Sequence, residues 1–365
     1  MFLIVTRNFP PDVGGIQVLM GGLATSLVSH GPVKVFAYEH PSSNTFDENS
    51  QLNIERIKGI KIFRKYRKAN LVNAFIDENS NIRALIADHW KSLELIKSEN
   101  LKKVKVFCLI HSKEINHPIG SQLNKRLVKS ASQADHVIAN SNFTKELAIK
   151  IGIDESKISI IYPGIPKPLV VNDKLKIQAK SVFGESFPKI ITVARLDKRK
   201  GHDKILMVIK NLKVKYPKIK YISIGTGKDE NDLFKLSKEL KIENEVKFLK
   251  NINYDLKSAL IEEANLFLMP SRIEKKSVEG FGISFIEAAS YGVGSIGGKD
   301  GGESDAIKHN QTGFICDGND LNSIYNSVIN FFTDKNFVKF GNNAVDFSQK
   351  FHWNKVIKNY LNLIN

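Results

Sequence analysis

Two glutamates on either side of a glycine-rich turn are the residues of this sequence best suited to chemistry. Glu279 and Glu287 flank the run Gly-Phe-Gly-Ile-Ser-Phe-Ile, which follows an apolar segment and leads into helix-forming residues. The first carboxylate is therefore expected on a loop and the second about one turn into a helix. Between them, the N–H groups of Gly282, Ile283 and Ser284 would be free donors at the helix start. Anion-binding amides between two carboxylates suit a ligand with both phosphate and hydroxyl groups, such as a nucleotide sugar.

The same spacing has a purely structural interpretation. Ser284 and Glu287 stand in S-x-x-E order, which is the pattern of a helix capping box. Short motif matches often arise by chance, so this segment alone does not separate a helix cap from a ligand site. The remainder of the chain has to decide.

Length and composition indicate a globular protein of two domains. The chain has 365 residues, of which 42% are hydrophobic and 25% charged. It contains no apolar run long enough to span a bilayer, and the opening Phe-Leu-Ile-Val is too short for a signal peptide. Its two cysteines, Cys108 and Cys316, lie far apart without metal-type spacing, which favours a reducing compartment. We expect a cytoplasmic protein.

The formal net charge of +16 includes one dense cationic run, residues 56–68, with seven cations and no acid. A solvated strand or loop face is the ordinary interpretation of such a run. The functional interpretation is attraction to anionic lipid headgroups or to nucleic acid. Because few aromatic residues are interleaved and no nucleic-acid motif is present, we favour peripheral contact with the inner face of the cell membrane and expect no nucleic acid.

Strand and helix patterns alternate along the whole chain. In the first half, strands are expected at 2–6, 33–37, 104–110, 136–139 and 158–162, with helices at 82–98 and 120–132. The alternation restarts after the proline-rich segment 163–168, with strands at 190–194, 220–224, 245–249, 264–269, 293–296 and 313–316. Such alternation predicts an α/β protein with two doubly wound Rossmann-like domains facing a central cleft. We place the domains at 1–166 and 167–345, followed by a C-terminal helical segment, 346–365, able to cross back onto the first domain.

Several unusual residues follow predicted strands, where α/β sheets bind ligands. Gly14 and Gly15 open the first helix and would let the backbone approach a phosphate, although two adjacent glycines also suit a plain turn. His111 follows the strand 104–110 with Glu114 nearby. A lone histidine is more often structural, but its place at a strand end favours a functional role.

The second half repeats this pattern with cations. Arg195 ends a predicted strand and Lys200 follows five residues later, so both could stabilise a departing diphosphate. A solvated basic loop is the alternative, since Lys198 and Arg199 are also present. Gly225-Thr-Gly227 follows another predicted strand. Its two glycines suit either a plain turn or a backbone that a ligand approaches closely.

Taken in order, these motifs resemble the GT-B-fold glycosyltransferases of family 4, retaining enzymes that use nucleotide sugars. The resemblance covers nearly the whole chain. Its opening Phe-Pro-Pro and its Val-Ala-Arg-Leu segment are most similar to the phosphatidylinositol mannosyltransferase branch. The motifs that carry it are 9–16, 134–141, 193–201, 225–227, 246–249, 269–271 and Glu279 with Glu287.

The resemblance implies roles for individual residues. The Gly15 amide, beside Gly14, would contact the distal phosphate of the donor, and Arg195 and Lys200 would hold the diphosphate as it leaves. Glu279 would bind hydroxyls of the transferred sugar and Glu287 those of the ribose. Further implied donor contacts come from Gly225, Gly282, Ile283 and Ser284. His111 would lie at the acceptor side of the reacting centre.

The same resemblance implies a GDP- or UDP-sugar as co-substrate, mannose as the favoured hexose, and a lipid-linked or saccharide acceptor in envelope glycan or glycolipid synthesis. No cofactor or metal is expected, since no D-x-D triplet occurs in the chain. The segment Gly301-Gly-Glu-Ser-Asp305 departs from the family's Gly-Gly-x-Pro-Glu, and Ser112 replaces a common glycine after His111. Two other enzyme classes remain open on this fold, a nucleotide-sugar epimerase and a sugar phosphorylase. The non-enzyme alternative is a basic carbohydrate- or nucleic-acid-binding protein.

Overall fold

A computed structural model describes all 365 residues and divides the chain into two compact units. The first unit combines Met1–Pro166 with Phe351–Asn365, and the second is Lys167–Lys350. The change from one unit to the next falls inside the proline-rich segment 163–168, because proline can continue neither a helix nor the middle of a sheet. The C-terminal segment thus folds with residues at the other end of the chain.

The first unit is built on a sheet of seven parallel strands in the order β3-β2-β1-β4-β5-β6-β7. Its central strands are buried on both faces, as expected when helices cover both sides of a parallel sheet. The strands are β1 (Phe2–Val5), β2 (Val33–Tyr38), β3 (Asn53–Ile57), β4 (Ala84–Ala87), β5 (Lys105–Ile110), β6 (His136–Ala139) and β7 (Ile158–Ile160).

Apolar helix faces form a core on each side of this sheet. On one side the first and last helices of the unit pack together, which ties the C-terminal segment to the N-terminus. The helices of the unit that precede the linker are α1 (Gly15–Val28), α2 (Ser43–Glu48), α3 (Arg64–Glu78), α4 (Trp90–Leu93), α5 (Ser98–Leu101), α6 (Ser112–Ile115), α7 (Gln122–Ala131) and α8 (Asn142–Lys150), with 3₁₀ turns at Lys61–Phe63 and Glu155–Lys157.

The second unit repeats the design with six parallel strands in the order β10-β9-β8-β11-β12-β13. These strands are β8 (Lys189–Val193), β9 (Lys220–Ile224), β10 (Val246–Leu249), β11 (Leu266–Met269), β12 (Ser295–Gly298) and β13 (Gly313–Cys316). Its helices are α9 (Asp173–Phe183), α10 (His202–Lys215), α11 (Glu230–Glu239), α12 (Tyr254–Glu263), α13 (Ile283–Ser290), α14 (Glu303–Ala306), α15 (Leu321–Phe332) and α16 (Asn336–Ser348), with 3₁₀ turns at Lys198–Lys200 and Thr333–Lys335. The 3₁₀ turn Gln349–Phe351 leads to the last helix, α17 (Trp353–Ile364), which belongs to the first unit.

The predicted class, two doubly wound α/β domains, is confirmed. One predicted helix, 82–98, is wrong: residues Ala84–Ala87 form the central strand β4, and only Trp90–Leu93 is helical in the middle of that range. A buried four-residue apolar run has no periodicity that separates strand from helix. The edge strand β3 was also missed, because its sequence Asn-Ile-Glu-Arg-Ile is largely polar.

None of the helices is both long and apolar enough to cross a lipid bilayer.

The docking of α17 onto α1 depends on a glycine. A Cβ atom on Gly22 in the middle of α1 would lie 2.2 Å from Nε1 of Trp353. We therefore predict that Gly22→Ala destabilises the protein by about 1–3 kcal/mol through overpacking. This loss outweighs the gain of about 1 kcal/mol that alanine normally gives inside a helix. Urea unfolding followed by circular dichroism measures the change.

Gly15→Ala is the matched control, because a Cβ atom at the start of the same helix would meet no atom within 4 Å. Equal unfolding midpoints for the two alanine variants would contradict this account of the α1–α17 contact.

Candidate active site

A buried carboxylate with two cations forms the centre of the candidate site in the second unit. Arg199 Nη1 donates a hydrogen bond to Glu279 Oε2 at 2.8 Å, and Lys200 Nζ donates to the same oxygen. Both cations are less than 10% exposed. They belong to the turn after β8, whereas Glu279 precedes α13 on the connection from β11, and β8 and β11 are neighbouring strands. The parallel sheet therefore brings the two connections together at its carboxyl edge.

The charges of this cluster compensate one another. Burial alone would raise the pKa of Glu279, but Lys200 and Arg199 outweigh burial and lower this pKa to about 2. Burial lowers the pKa of Lys200, and the negative charge of Glu279 opposes that shift. Glu279 is therefore a carboxylate across the physiological pH range. Arg199 supported the alternative of a solvated basic loop in the sequence, whereas in the structure it is buried against Glu279.

Arg195 follows β8 and, unlike the buried Arg199 and Lys200, has an exposed side chain. Its side chain is 64% exposed and lies 3.4 Å from the Asp197 carboxylate. His202 at the start of α10 fixes the backbone here, with Nε2 3.2 Å from the Arg195 carbonyl oxygen. Because a carbonyl only accepts hydrogen bonds, this nitrogen carries the proton. Burial lowers the pKa of His202 to about 4, so the ring is neutral, and its other nitrogen lies 3.0 Å from the Tyr221 hydroxyl.

The segment Gly225-Thr-Gly227 supports the Arg195 loop by close packing. A Cβ atom on Gly225 would lie 2.0 Å from the carbonyl oxygen of Ala194, and one on Gly227 would lie 2.1 Å from that of Leu196. The Leu196 amide donates to the Thr226 carbonyl at 3.0 Å. Glycine is therefore needed at both positions for the two connections to touch, whatever ligand they bind.

The start of α13 separates the two interpretations of the Glu279–Glu287 segment. Gly282, with φ +88°, precedes the helix, which begins at Ile283, so Ser284 lies in its first turn and makes no capping box. Glu287 lies about one turn into the helix, as its spacing predicts. Its carboxylate accepts a hydrogen bond from Lys257 on α12, a partner that the sequence did not indicate.

In the first unit, α1 begins at Gly15, where the surrounding space is open. Gly14 precedes it, and a Cβ atom there would lie 2.4 Å from Oε1 of Gln17. The backbone at the helix start is thus accessible at one glycine and covered by a side chain at the other.

His111 lies at the end of β5 beside a buried pair, His89 and Glu114. His89 Nδ1 accepts from the Lys91 amide at 2.9 Å, so its Nε2 carries the proton and donates to Glu114 Oε2 at 3.1 Å. Burial lowers the pKa of His89 and raises that of Glu114, so this pair is neutral. Burial also lowers the pKa of His111, although Asp88 opposes the shift. His111 Nε2 is buried without a hydrogen-bond partner.

Asp88, at the end of β4, connects the carboxyl end of β1 to helix α4 through its carboxylate. It accepts hydrogen bonds from the Thr6 hydroxyl at 2.9 Å and the Ser92 hydroxyl at 2.7 Å. Lys68 Nζ donates to Ser92 at 2.9 Å, and burial lowers the pKa of Lys68 to about 8. Sequence reasoning missed Asp88 and His89 because β4 was assigned to a helix, and it grouped Lys68 with the cationic run 56–68 instead of the buried core.

No group of three or more His, Cys, Asp or Glu side chains is arranged to hold a metal ion. Both cysteines are free and buried.

The Glu279 cluster predicts a specific acid dependence of stability. The pKa of Glu279 is lowered on folding, so its charged form stabilises the fold above about pH 4.5, and this contribution is lost as the pH falls towards 2. Glu279→Gln leaves two buried cations without a counter-charge, which we expect to cost about 3–5 kcal/mol at pH 7. In urea unfolding, the difference in unfolding free energy from wild type should be nearly constant between pH 7 and about 5 and should shrink between pH 4.5 and 3.

Glu239→Gln serves as control, since its partner Lys235 lies 3.9 Å away in an exposed helix pair. If the loss of unfolding free energy in Glu279→Gln did not change with pH, Glu279 would not be held charged by its neighbours.

Comparison with known proteins identifies the family of this chain. The model of glycosyltransferase family 4 matches residues 13–167, and that of glycosyl transferases group 1 matches residues 173–347. A Mycobacterium tuberculosis GDP-mannose-dependent alpha-(1-6)-phosphatidylinositol monomannoside mannosyltransferase is 25% identical over 355 residues, 91% of this chain and 89% of that protein. A Corynebacterium glutamicum GDP-mannose-dependent monoacylated alpha-(1-6)-phosphatidylinositol monomannoside mannosyltransferase is 23% identical over 345 residues. The match covers 91% of this chain and 88% of that protein.

Solved structures share the fold over the full chain. The Anabaena protein HepE in complex with UDP superposes with a TM-score of 0.83 at 18% identity, covering 100% of this chain and 99% of that one. Sucrose-phosphate synthase from Thermosynechococcus elongatus superposes with a TM-score of 0.78 at 17% identity. The superposition covers 99% of this chain and 97% of that one. The two family models together span nearly all of both units. The chain therefore belongs to the GT-B-fold glycosyltransferases, with a family 4 domain followed by a group 1 domain.

Proposed function

We propose that this glycosyltransferase moves a hexose, most favourably mannose, from a nucleotide diphosphate sugar to a lipid-linked or saccharide acceptor, with retention of anomeric configuration and without a required metal ion. One observation carries the proposal: Glu279 is held charged and buried by Lys200 and Arg199, a few residues from the exposed Arg195. This arrangement offers a carboxylate for sugar hydroxyls and cations for a diphosphate. A donor that carries both groups fits it.

In the second unit, we assign Arg195 and Lys200 to the diphosphate and Glu279 to the hydroxyls of the transferred sugar. A carboxyl with a pKa of about 2 accepts hydrogen bonds at neutral pH but is a poor proton donor or base. Glu279 is thus unsuited to the acid or base role that carboxylates fill in glycosidases. We assign Glu287 to the ribose hydroxyls, and Gly225 and the residues that open α13 (Gly282, Ile283 and Ser284) to further donor contacts.

In the first unit, we assign the amide of Gly15, supported by Gly14, to the distal phosphate of the donor. His111 is assigned to the acceptor side of the reaction. Its neutral state at physiological pH follows from burial, which lowers its pKa. A neutral ring with an unpartnered Nε2 can exchange a hydrogen bond with an incoming hydroxyl group.

Retention requires the acceptor oxygen to approach the same face of the sugar that the diphosphate leaves. The bond from the anomeric carbon to the phosphate oxygen breaks while the bond to the acceptor oxygen forms. The proton of the acceptor hydroxyl passes to the departing phosphate. Arg195 and Lys200 offset the charge that develops on this leaving group, which is the role that a divalent ion would otherwise fill.

The favoured donor is GDP-mannose, and the favoured acceptor is a glycolipid. The support is that the M. tuberculosis and C. glutamicum relatives are named as GDP-mannose-dependent enzymes acting on phosphatidylinositol mannosides. HepE, in contrast, was solved with UDP, so a UDP-sugar is the alternative donor. We infer a role in envelope glycan or glycolipid synthesis from the glycolipid acceptors named for these relatives.

The reaction can be tested with a panel of GDP-, UDP- and ADP-sugars and glycolipid acceptors in the presence of EDTA. We expect turnover with GDP-α-mannose, an α-linked product by NMR, and no loss of rate on chelation. Arg195→Ala should lower kcat/KM about 10²–10³-fold, because it removes a charge that stabilises the leaving group.

Lys198→Ala removes an exposed cation from the same loop and should leave the rate unchanged. A β-linked product would refute retention, a metal requirement would refute metal independence, and no binding of any nucleotide sugar would refute the function as a whole.

We further propose that the first unit docks on an anionic membrane at the cytoplasmic face through the surface formed by residues 58–66. Arg56 and Lys68, at the ends of the cationic run, are turned inward: Arg56 pairs with Asp47 at 2.6 Å, and Lys68 is buried. Between them, exposed lysines alternate with apolar side chains on the 3₁₀ turn and the start of α3. The exposed apolar residues are Ile60 (64%), Ile62 (68%), Phe63 (49%) and Tyr66 (49%). Cations for headgroups beside apolar side chains for the acyl boundary suit an interfacial site.

Removal of two of these lysines should weaken membrane binding. At about 1 kcal/mol per cation, Lys61→Ala with Lys65→Ala should lower the affinity for anionic vesicles roughly 30-fold. Sedimentation with vesicles of phosphatidylglycerol in phosphatidylcholine measures it, and pure phosphatidylcholine gives the neutral baseline.

The matched control is Lys102→Ala with Lys129→Ala, two exposed lysines elsewhere in the first unit. Equal losses in both double variants, or no preference of the wild type for anionic vesicles, would count against this docking surface.

A further inference from the structure

Glu303 is a buried carboxyl group to which the proposed function gives no role. It begins the short helix α14, in the glycine-rich connection that follows β12. Its side chain is 1% exposed. It occupies the variable position of the Gly-Gly-x-Pro-Glu pattern from which this sequence departs, so the family resemblance says nothing about it.

The Glu303 side chain lies against two connections of the candidate site. Ser271, in the segment after β11, donates a hydrogen bond to Oε1. A Cβ atom on Gly301 would lie 2.7 Å from Glu303 Oε2 and 2.3 Å from the Glu279 carbonyl oxygen. The Gly302 amide donates to that same carbonyl oxygen at 3.0 Å. Glu303 and the two glycines before it thus hold the backbone of Glu279 and the Ser271 segment together.

Glu303 has no cation of its own. The charged groups around it are Glu279 on one side and Lys200 and Arg199 beyond, and both cations already donate to Glu279. Cys316 at the end of β13 is the remaining titratable neighbour, and burial raises the pKa of its thiol to about 12, so it stays neutral. A second negative charge here would therefore be unbalanced.

The protonation state of Glu303 follows from these surroundings. Burial, and then the negative charge of Glu279, raise the pKa of Glu303 to about 8, although Ser271 and Lys200 act in the opposite direction. Oε1 accepts from Ser271, whereas Oε2 is buried with no partner. Neither oxygen has a cation as its partner, so this geometry favours the neutral acid.

We propose that Glu303 is a positioning residue that acts as a neutral carboxylic acid, holding the Ser271 and Glu279 connections in the geometry that binds the donor. This role rests on the proposed function, because the donor is the ligand that the positioned residues hold. Ionisation of Glu303 would set two carboxylates against each other and loosen the Glu279 connection. Donor affinity is then highest where the carboxyl is protonated.

Glu303→Gln tests the proposal, because glutamine keeps the shape and neutrality of the acid but cannot ionise. Calorimetric titration with GDP-mannose from pH 6.5 to 9.5 should show a wild-type Kd that is constant up to about pH 7.5. Above pH 8 it should rise towards tenfold per pH unit. Glu303→Gln should match the wild type at pH 7 and stay flat at high pH. Glu262→Gln, an exposed carboxyl in the same unit, should keep the wild-type pH profile.

Infrared spectroscopy of the free protein provides a readout without donor. In the difference spectrum of wild type minus Glu303→Gln, which cancels the band of the buried Glu114 acid, the carbonyl stretch of a protonated carboxylic acid should be present at pH 7 and disappear on titration around pH 8. The unfolding midpoint of the wild type should also fall relative to Glu303→Gln as the pH rises from about 4.5 through 8. The direction follows because folding raises the pKa of Glu303. The protonated carboxyl stabilises the fold fully below the unfolded-state pKa of about 4.5, and this stabilisation is lost as the pH rises to the folded-state pKa of about 8.

The outcomes separate this proposal from the proposed function. If the wild type binds donor but Glu303→Gln shows the same pH profile, or binds no donor at pH 7, the positioning role is overturned. Absence of the band from that difference spectrum, where the wild type binds donor, overturns it as well. If the wild type binds no nucleotide sugar at any pH, the proposed function fails, and the donor-positioning role fails with it even where the band is present.

Discussion

The site in the second unit depends on one interaction, the sharing of the Glu279 carboxylate by two buried cations. Removing three charges from water is costly, and their mutual attraction offsets that cost only when the geometry is close. The fold supplies that geometry through contacts just outside the cluster. Arg272 binds the Asp203 carboxylate at 3.0 and 2.8 Å, and its amide donates to the Arg199 carbonyl at 2.9 Å. Such a cluster adds little net stability over a well-packed apolar core, although removal of one member is costly. The role that we propose for it is to bind a charged ligand.

The two units treat buried ionisable groups in opposite ways. In the second unit, Glu279 keeps a full charge because cations surround it. In the first, burial makes both His89 and Glu114 neutral, and it lowers the pKa of His111. The difference matches the chemistry proposed for each unit. A diphosphate requires fixed charge, whereas a neutral hydroxyl acceptor needs oriented hydrogen-bonding groups in a region of low polarity.

Sequence reasoning identified the residues whose position follows from the parallel sheet. Arg195 and Lys200 follow β8, and Glu287 lies one turn into α13, because carboxyl ends of parallel strands share one edge. It failed where the deciding partner lies on another element. The four-residue strand β4 has no periodicity of its own, so Asp88, the residue that follows it, was not recognised as lying at a strand end. Arg199 has the composition of a solvated turn, and only the carboxylate on the connection from a neighbouring strand makes it a buried residue.

Glu279 and Glu303 show how one site can use two carboxyl groups for different tasks. Close carboxylates cannot both ionise without a cation for each, and here both cations belong to Glu279. Their pKa values are consequently pushed apart, to about 2 and about 8. Such a separation assigns a charged role to one and a neutral role to the other. Glu303, the neutral member, contacts the backbone connections and not the cations. In the proposed function, Glu279 therefore binds the ligand, whereas Glu303 holds the connections of the site in place.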